Sequence, residues 1–210
     1  MYRTVPLPPP PAPTLRPQAR PLLTALLLMA SMAVSAQDFK FEIFRSGDKV
    51  GNIFTSRSIS AGSTSYLITS HAELNVIWKQ VVRTRLGAEY SGGILTSCRS
   101  TLQLNGNMRD SSEMHTHGGR SIAYVHPAAP FLLPRTNGWT TSRMFYEEPL
   151  GQTSILVESV MQACPLVRTG PGVYELTLPN NDRNRYLYVG GRLMEVEVDR
   201  MLVNLVFRRA

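Results

Sequence analysis

The sequence predicts an all-β protein with one short helix, in which successive strands pair antiparallel as a meander. Two observations predict this fold class. Apolar side chains recur at every second position in much of the chain, which is the period of a strand with one buried face. Pairs rich in glycine or asparagine separate these runs, as is typical of hairpins. Of the 210 residues, 174 follow residue 36, enough for a single β domain over 37–210.

The first 36 residues form a separate, proline-rich head with the features of a secretory signal peptide. Its arginines precede an apolar run over 22–34, and no acidic residue occurs before Asp38. The run ends in small residues at Ala36, where a signal peptidase would cut. We therefore expect a periplasmic or secreted protein that begins at Gln37 and has no transmembrane segment. The stretch 6–13 is either a polyproline ligand or the result of a start codon assigned too far upstream, and the second is preferred.

The charge of the mature chain is small. The whole chain has 22 Lys or Arg and 15 Asp or Glu, and three of the arginines lie in the head, which leaves 19 against 15 and a net charge of +4. A charge this small argues against nucleic-acid binding. The sequence contains no nucleophile elbow, phosphate-binding loop or His-Glu-x-x-His motif. We therefore expect a non-enzymatic protein without a cofactor.

The first strands are predicted by alternation. Apolar and charged residues alternate over 39–43, a turn at 47–48 leads into a second strand over 50–59, and alternation returns over 66–76. The next stretch, 74–86, fits two patterns, because its apolar residues have helical spacing while its β-branched clusters favour a pleated surface. We predict a strand there.

Glycine-rich turns mark the later hairpins, notably Gly92–Gly93 and Asn105–Gly106. The strands that they and later turns delimit are predicted over 94–104, 108–116, 120–126, 154–160, 173–178, 185–189 and 192–207. Three prolines between 127 and 138 argue against regular pairing there. The one predicted helix covers 139–147, with Thr140 or Thr141 as its N-cap, and we expect it to close one end of a barrel or cover one face of the sheet.

The pattern Tyr-x-Gly-Gly-x-Leu occurs twice, over 90–95 and 188–193. Either two hairpins use the same residues for the same turn, since glycine adopts positive φ without strain, or a half-domain is duplicated. The flanking residues do not repeat, which favours the first interpretation.

Several of these features together resemble a group of secreted bacterial proteins of unknown function. They are the signal segment, the opening strand that runs into the Gly-x-x-x-Gly turn at 47–51, the repeated Tyr-x-x-Gly-x-Leu corners and the late short helix. Those proteins are similar in turn to the periplasmic lipoprotein-carrier half-barrels. The resemblance extends loosely over 39–207. It implies a strongly curved sheet, a half-barrel or nearly closed barrel, around an apolar interior that in such carriers holds an acyl chain. It supplies no catalytic residues.

Six apolar residues of matched parity are the candidate ligand-binding residues: Tyr66, Ile68, Trp78, Val82, Tyr90 and Ile94. Ligand sites commonly lie in the mouths of β-barrels, so we expect these residues to bind a small apolar or lipid-like ligand on the concave face. A solid core would use the same residues for packing, and the protein would then act through its surface, as an envelope interaction protein.

The two cysteines, Cys98 and Cys164, permit one disulfide in an oxidising compartment. The alternative is two small buried thiols. The parity of Cys98 places its side chain inside.

Three residues with the chemistry of zinc ligands alternate along one predicted strand: Glu113, His115 and His117. The turn at 105–106 decides which way they face. With a two-residue loop Cys98 opposes Glu113 and the three face inward; with a three-residue loop Cys98 opposes Met114 and the histidines face water. The second register pairs apolar with apolar residues and is preferred. An exposed polar strand is therefore expected, and a metal-binding or metal-dependent protein is the alternative.

Overall fold

The computed structural model describes residues 35–75, 78–134, 138–200 and 203–210, and its strands form one antiparallel sheet. In chain order the strands are β1 (Ser35–Arg45), β2 (Asp48–Ser60), β3 (Ser63–Asn75), β4 (Lys79–Ser91), β5 (Ile94–Leu104), β6 (Asn107–His117), β7 (Arg120–Val125), β8 (Phe131–Leu133), β9 (Ser154–Val157), β10 (Gln162–Gly170), β11 (Val173–Thr177), β12 (Arg183–Val189), β13 (Arg192–Asp199) and β14 (Leu205–Arg209). The single described helix, α1, covers Thr141–Met144. The predicted all-β meander with one short helix is confirmed.

The strand order joins two meanders through the first and last strands. It runs β8-β7-β6-β5-β4-β3-β2-β1-β14-β13-β12-β11-β10-β9, so strands adjacent in sequence are adjacent in space except β8 and β9, which form the two edges. A single strand over 192–207 was expected, but the chain turns after Asp199 and returns as β14 to pair with β1, where Phe41 opposes Arg209. This pairing gives β1 a neighbour on both sides.

The sheet is strongly curved, as two contacts with α1 demonstrate. Tyr90 on β4 contacts Thr140 at the start of the helix, and Tyr188 on β12 contacts Met144 at its end. Six inter-strand steps separate β4 from β12, roughly 29 Å in a flat sheet. Four helical residues span only about 6 Å, so both strands reach the helix because the sheet wraps around it.

We call residues 139–161 the plug, because they cover the concave face of this half-barrel. Thr140 is the N-cap of α1 and accepts a hydrogen bond from the Arg143 amide, as one of the two predicted caps. Met144 and Ile155 belong to one buried apolar cluster with inner residues of the sheet, and Met161 belongs to a second. Within the plug, the backbone of Thr140 bridges to Leu156 on β9, the strand at one edge of the sheet.

The register between β5 and β6 combines the two predicted alternatives. The Asn105–Gly106 turn has two residues, both at positive φ, so Leu104 opposes Asn107. A bulge then shifts the register by one residue, and beyond it Cys98 opposes Met114. The turn chemistry and the apolar pairing are therefore both satisfied.

Two local predictions are wrong or incomplete. The proline-rich stretch after residue 126 contains the short strand β8, which pairs with β7; Pro130 and Pro134 flank it, and proline is tolerated at an edge strand. The ambiguous stretch 74–86 is strand where it is described, but β3 ends at Asn75 and β4 begins only at Lys79. Residues 76–77 and the predicted signal segment up to residue 34 lie outside the described residues.

Candidate functional site

Four of the six predicted ligand-binding residues lie on the inner face. Tyr66, Ile68 and Tyr90 are buried, and Val82 is partly buried against the apolar cluster that contains Ile68. The inward orientation predicted for the other two residues is wrong: Trp78 is 62% exposed and Ile94 67% exposed.

Both errors have a local cause. Trp78 lies in the connection between β3 and β4 and not within a strand. In the β4–β5 hairpin a bulge shifts the register beside Tyr90, so that Leu95 opposes Tyr90 and takes the buried position that alternation assigns to Ile94.

The inner tyrosines bind the plug through their hydroxyls. Tyr66 donates to Glu147 Oε1 at 2.7 Å, and Tyr90 shares a 3.0 Å hydrogen bond with Thr140 Oγ1. The two rings meet edge to face, with their centroids 5.6 Å apart. Burial raises the pKa of both phenols well above the ordinary tyrosine value, which keeps them protonated. This part of the concave face is packed against protein.

Glu147 is the centre of a charged cluster at one end of the plug. Its Oε2 accepts two hydrogen bonds from Arg143, at 2.9 and 2.7 Å, and Arg57 lies 3.6 Å from its Oε1. The Arg143 guanidinium also stacks 4.1 Å from the centre of the Trp139 ring. The cluster ties the end of α1 to β2 and β3, because Tyr66 binds the same carboxylate.

The most deeply buried charged residue, Glu158, was not predicted from the sequence. It is fully buried, and each carboxylate oxygen accepts hydrogen bonds from one residue of the first turn of α1. The amide and hydroxyl of Thr141 donate to Oε2, and the amide and hydroxyl of Ser142 donate to Oε1. These amides have no partner within the helix, so Glu158 is a cap supplied from another element. The available signal was a carboxylate directly after the apolar run Ile155–Val157.

One end of the concave face remains open as a cavity of about 520 Å³. Four apolar side chains from β5, β7, the plug and the β11–β12 turn form part of its walls: Leu102, Val125, Val160 and Leu178. Serines and charged residues make up most of the remaining lining, including Asp110 and Ser112 on β6. At its rim Arg200 forms an ion pair of 3.2 Å with Asp182 and donates to Asn184 at 3.0 Å. Asp110 also lines the cavity and has no ion-pair partner within the described ranges. This cavity was not located by sequence reasoning, because its walls are far apart in the chain.

The three predicted metal ligands lie on the outer face of the sheet. Glu113 is half-buried, and His115 and His117 are exposed, so the histidines face water as the preferred register predicts. Across the strand pair, Glu113 opposes Arg99 and His115 opposes Ser97. Within the described residues, no three His, Cys, Asp or Glu side chains are placed to hold a metal ion.

The two cysteines are buried free thiols in the structure. Cys98 faces inward, as predicted, and lies in one apolar cluster, 3.8 Å from the sulfur of Met161, whereas Cys164 lies in the other cluster. The disulfide that the sequence permits is therefore not formed. Burial raises the pKa of both thiols.

Among the described residues, none of the helices has the length and apolar character needed to cross a membrane.

The curved sheet, its inner plug and the cavity at one end define a β-barrel-like protein. The chain belongs to the family described as Domain of unknown function (DUF6134), which matches residues 41–210. It is similar in fold to a solved β-barrel-like protein of Domain of Unknown Function DUF1849 from Brucella abortus, with a TM-score of 0.51 and 11% identity over 84% of this chain and 95% of that chain. No curated protein matches the chain. The similarity to lipoprotein-carrier half-barrels stays a prediction.

Proposed function

We propose that this protein is an exported, non-enzymatic binding protein that holds a small, mainly apolar ligand in the cavity at the open end of its concave face. The observation that carries the proposal is the cavity itself: about 520 Å³, with apolar side chains in its walls and a polar rim, on an inner face that the plug otherwise packs. Small-molecule sites commonly have volumes of about 300–1,000 Å³ and mainly apolar linings.

The walls supply the binding energy. Leu102, Val160 and Leu178 are all partly exposed in the structure, although they line an interior space. A ligand that covers them removes apolar surface from water, which is favourable by about 25 cal/mol for each Å².

The rim orients the ligand. Asp182 and Arg200 offset each other as an ion pair, and Asp110 adds one further negative charge to the lining. The polar end of the ligand is therefore expected to be neutral or cationic. A fatty-acid carboxylate would meet repulsion from Asp110.

The predicted row of inner residues has a supporting role in this proposal. Tyr66 and Tyr90 hold the plug in place, and the plug contributes Val160 to the cavity wall. The ligand itself contacts other residues.

Binding is tested with phenylnaphthylamine, a neutral apolar fluorophore, titrated into the purified protein. We expect saturable fluorescence enhancement that is at least tenfold weaker in the variant Leu178→Trp, whose side chain fills the cavity. The matched control is Leu150→Trp, at an exposed position outside the cavity. Equal binding by the two variants would refute the location of the site in this cavity. In a separate experiment, native mass spectrometry of an organic extract identifies any co-purified ligand.

Export is tested separately by N-terminal sequencing of the protein from its native host. We expect the sequence to begin at Gln37. Cleavage there removes only the first two residues of β1 and keeps the β1–β2 pairs from Gln37–Arg57 onward. A sequence that begins at Met1 would contradict export.

A further inference from the structure

A second concavity lies on the outer face of the sheet, across β2 to β6. It has a volume of about 880 Å³ and continues into a neighbouring concavity of about 400 Å³, with which it shares Ser56 and Leu67. We call the two together the outer groove. Its lining residues come from six adjacent strands, β1 to β6, a width of roughly 24 Å, and the proposed apolar ligand does not use it.

Gly87 lines the outer groove and leaves its floor without a side chain at that point. It lies on β4 between Leu67 on β3 and Arg99 on β5, and at this position the sheet has no side chain on its outer face. A Cβ built on Gly87 would meet only the carbonyl oxygen of Tyr66, at 3.7 Å. The φ of Gly87 is not positive, so the backbone itself does not require glycine.

The polar lining carries both charge signs in equal number. Arg85 and Arg99 are offset by Glu89 and Glu113. Glu89 accepts a 3.0 Å hydrogen bond from Ser97, whereas the two guanidinium groups form no ion pair within the described ranges. A balanced lining does not provide the positive potential that an anionic polymer or lipid surface requires.

Such a lining complements a ligand that is itself uncharged and rich in hydroxyl groups. Arginine offers several donors in a fixed fork, carboxylates only accept, and serine hydroxyls do both. Neighbouring hydroxyl groups of a sugar can hydrogen-bond to closely spaced donors and acceptors, because each hydroxyl both donates and accepts.

An aromatic side chain stands at the other end of the outer groove. Phe54 projects from the outer face of β2, between Lys40 and Thr69 on the neighbouring strands, and is 55% exposed. The negative face of an aromatic ring attracts weakly positive hydrogen atoms, such as the C–H groups on one face of a pyranose ring.

We propose that the outer groove binds a neutral oligosaccharide. One sugar ring stacks on Phe54, and the following units lie over Gly87, where Arg85, Arg99, Glu89 and Glu113 hydrogen-bond to their hydroxyls. The site is independent of the apolar cavity, because it lies on the opposite face of the sheet.

The proposal is tested by saturation-transfer NMR and calorimetry with three neutral probes of different linkage, namely maltohexaose, cellohexaose and chitohexaose, and with a heparin hexasaccharide as the anionic comparison. We expect at least one neutral probe to bind in the millimolar range or tighter. The variant Gly87→Val fills the groove at a position that tolerates a side chain, so its affinity should fall at least tenfold.

Two further variants keep the test decisive. Phe54→Ala should also weaken binding about tenfold. Gly170→Val, at a strand glycine where a Cβ makes only ordinary contacts, should bind as the unmodified protein does. The proposal is overturned if no neutral probe binds, if Gly87→Val binds normally while retaining its melting temperature, or if the heparin probe binds more tightly. Binding of phenylnaphthylamine should be unchanged in all three variants.

Discussion

The hydroxyl of Tyr188 donates a 2.7 Å hydrogen bond to the carbonyl of Met144, the last residue of α1. At the other end of the helix, Tyr90 shares a hydrogen bond with the N-cap Thr140. The two tyrosines occupy the same position of the repeated Tyr-x-Gly-Gly-x-Leu pattern, one in each half of the sheet. Corresponding residues of the repeat therefore hold the two ends of one short helix.

The two repeats also share their backbone geometry. In each hairpin the tyrosine opposes the leucine of its own pattern, a register shift lies beside the tyrosine, and both glycines have positive φ. Each of these tyrosines packs edge to face against a second tyrosine: Tyr90 against Tyr66, and Tyr188 against Tyr174. The hydroxyl of Tyr66 donates to Glu147, and the hydroxyl of Tyr174 donates to the next residue, Glu148. The structural equivalence thus extends beyond the turn.

We expect Tyr188→Phe to destabilise the protein by about 1–3 kcal/mol, because it leaves the buried carbonyl of Met144 without its donor. Tyr124→Phe is the control, since within the described part of the chain that hydroxyl bonds only to His126, at the surface. Urea unfolding monitored by circular dichroism gives both values. Equal stability of the two variants would show that the contact with Met144 does not hold the helix.

Much of the fold could be predicted because its signals are local. Alternation identifies β1 and β3, and the Asn105–Gly106 pair identifies a two-residue turn that the structure contains. The bulge that follows this turn has no comparable signal, because the extra residue is accommodated by pairing with another strand. The same limitation explains the error at Ile94.

The remaining elements depend on contacts between distant residues. The chain forms β14 as a strand of its own, and does not continue β13, because β14 also pairs with β1. The strand β10 (Gln162–Gly170), which contains Pro165, was not predicted at all. Glu158 is a cap only when β9 and the next residues reach α1. The walls of the apolar cavity come from β5, β6, β7, the plug and the β11–β12 turn, so no sequence window contains them.

We expect Glu158→Gln to be among the most destabilising conservative substitutions, at about 3 kcal/mol. The carboxylate accepts from two amides and two hydroxyls, whereas the amide nitrogen of glutamine would point a donor at donors in a fully buried site. Glu197→Gln, which removes an exposed ion pair with Arg185, should change the free energy of unfolding by less than about 1 kcal/mol. Urea denaturation compares the two, and similar losses would refute the role of Glu158 as a cap.

Stability should fall at alkaline pH because the inner tyrosines must stay protonated. Burial raises the pKa of Tyr186 to about 12 and that of Tyr188 well above its ordinary value. The folded state therefore retains protons that the unfolded chain loses above about pH 10. Stability is fully present below that pH and falls as the pH rises toward the folded pKa, by about 1.4 kcal/mol per pH unit for each such tyrosine.

The measurement is urea unfolding at a series of pH values between about 8 and 12. In Tyr186→Phe the decline above about pH 10 should be shallower than in the unmodified protein, because one linked proton is missing. An identical pH dependence would contradict the assignment of the decline to the buried phenols.

Both thiols should resist alkylation in the native protein. Cys98 and Cys164 are buried, and burial raises their pKa, so little thiolate is present or accessible near neutral pH. Mass spectrometry after treatment with iodoacetamide should show no adduct in native buffer and two adducts in denaturant without reductant. An unreduced, denatured protein that takes up no label would instead contain a disulfide.

Gly172 should be the least replaceable turn glycine of the second half, because it combines strain with a close approach. The φ of Gly172 is +68°, and a Cβ at this position would lie 2.3 Å from the carbonyl oxygen of Tyr188. The two residues are held close because the amide of Tyr188 donates a hydrogen bond to the carbonyl of Gly172. Gly47 also has a positive φ, but a Cβ there would meet nothing within 4 Å. We expect Gly47→Ala to lose about 1–2 kcal/mol from the strained φ alone, and Gly172→Ala to lose clearly more.

The larger loss at Gly172 should be accompanied by a change at the helix. Removing the overlap requires β12 to move away from the turn, and that displacement acts on Tyr188, which binds the end of α1. Tyr188→Phe combined with Gly172→Ala should therefore be less destabilising than the sum of the two single variants, because both weaken the same contact. Strictly additive free energies of unfolding would show that the turn and the helix contact are independent.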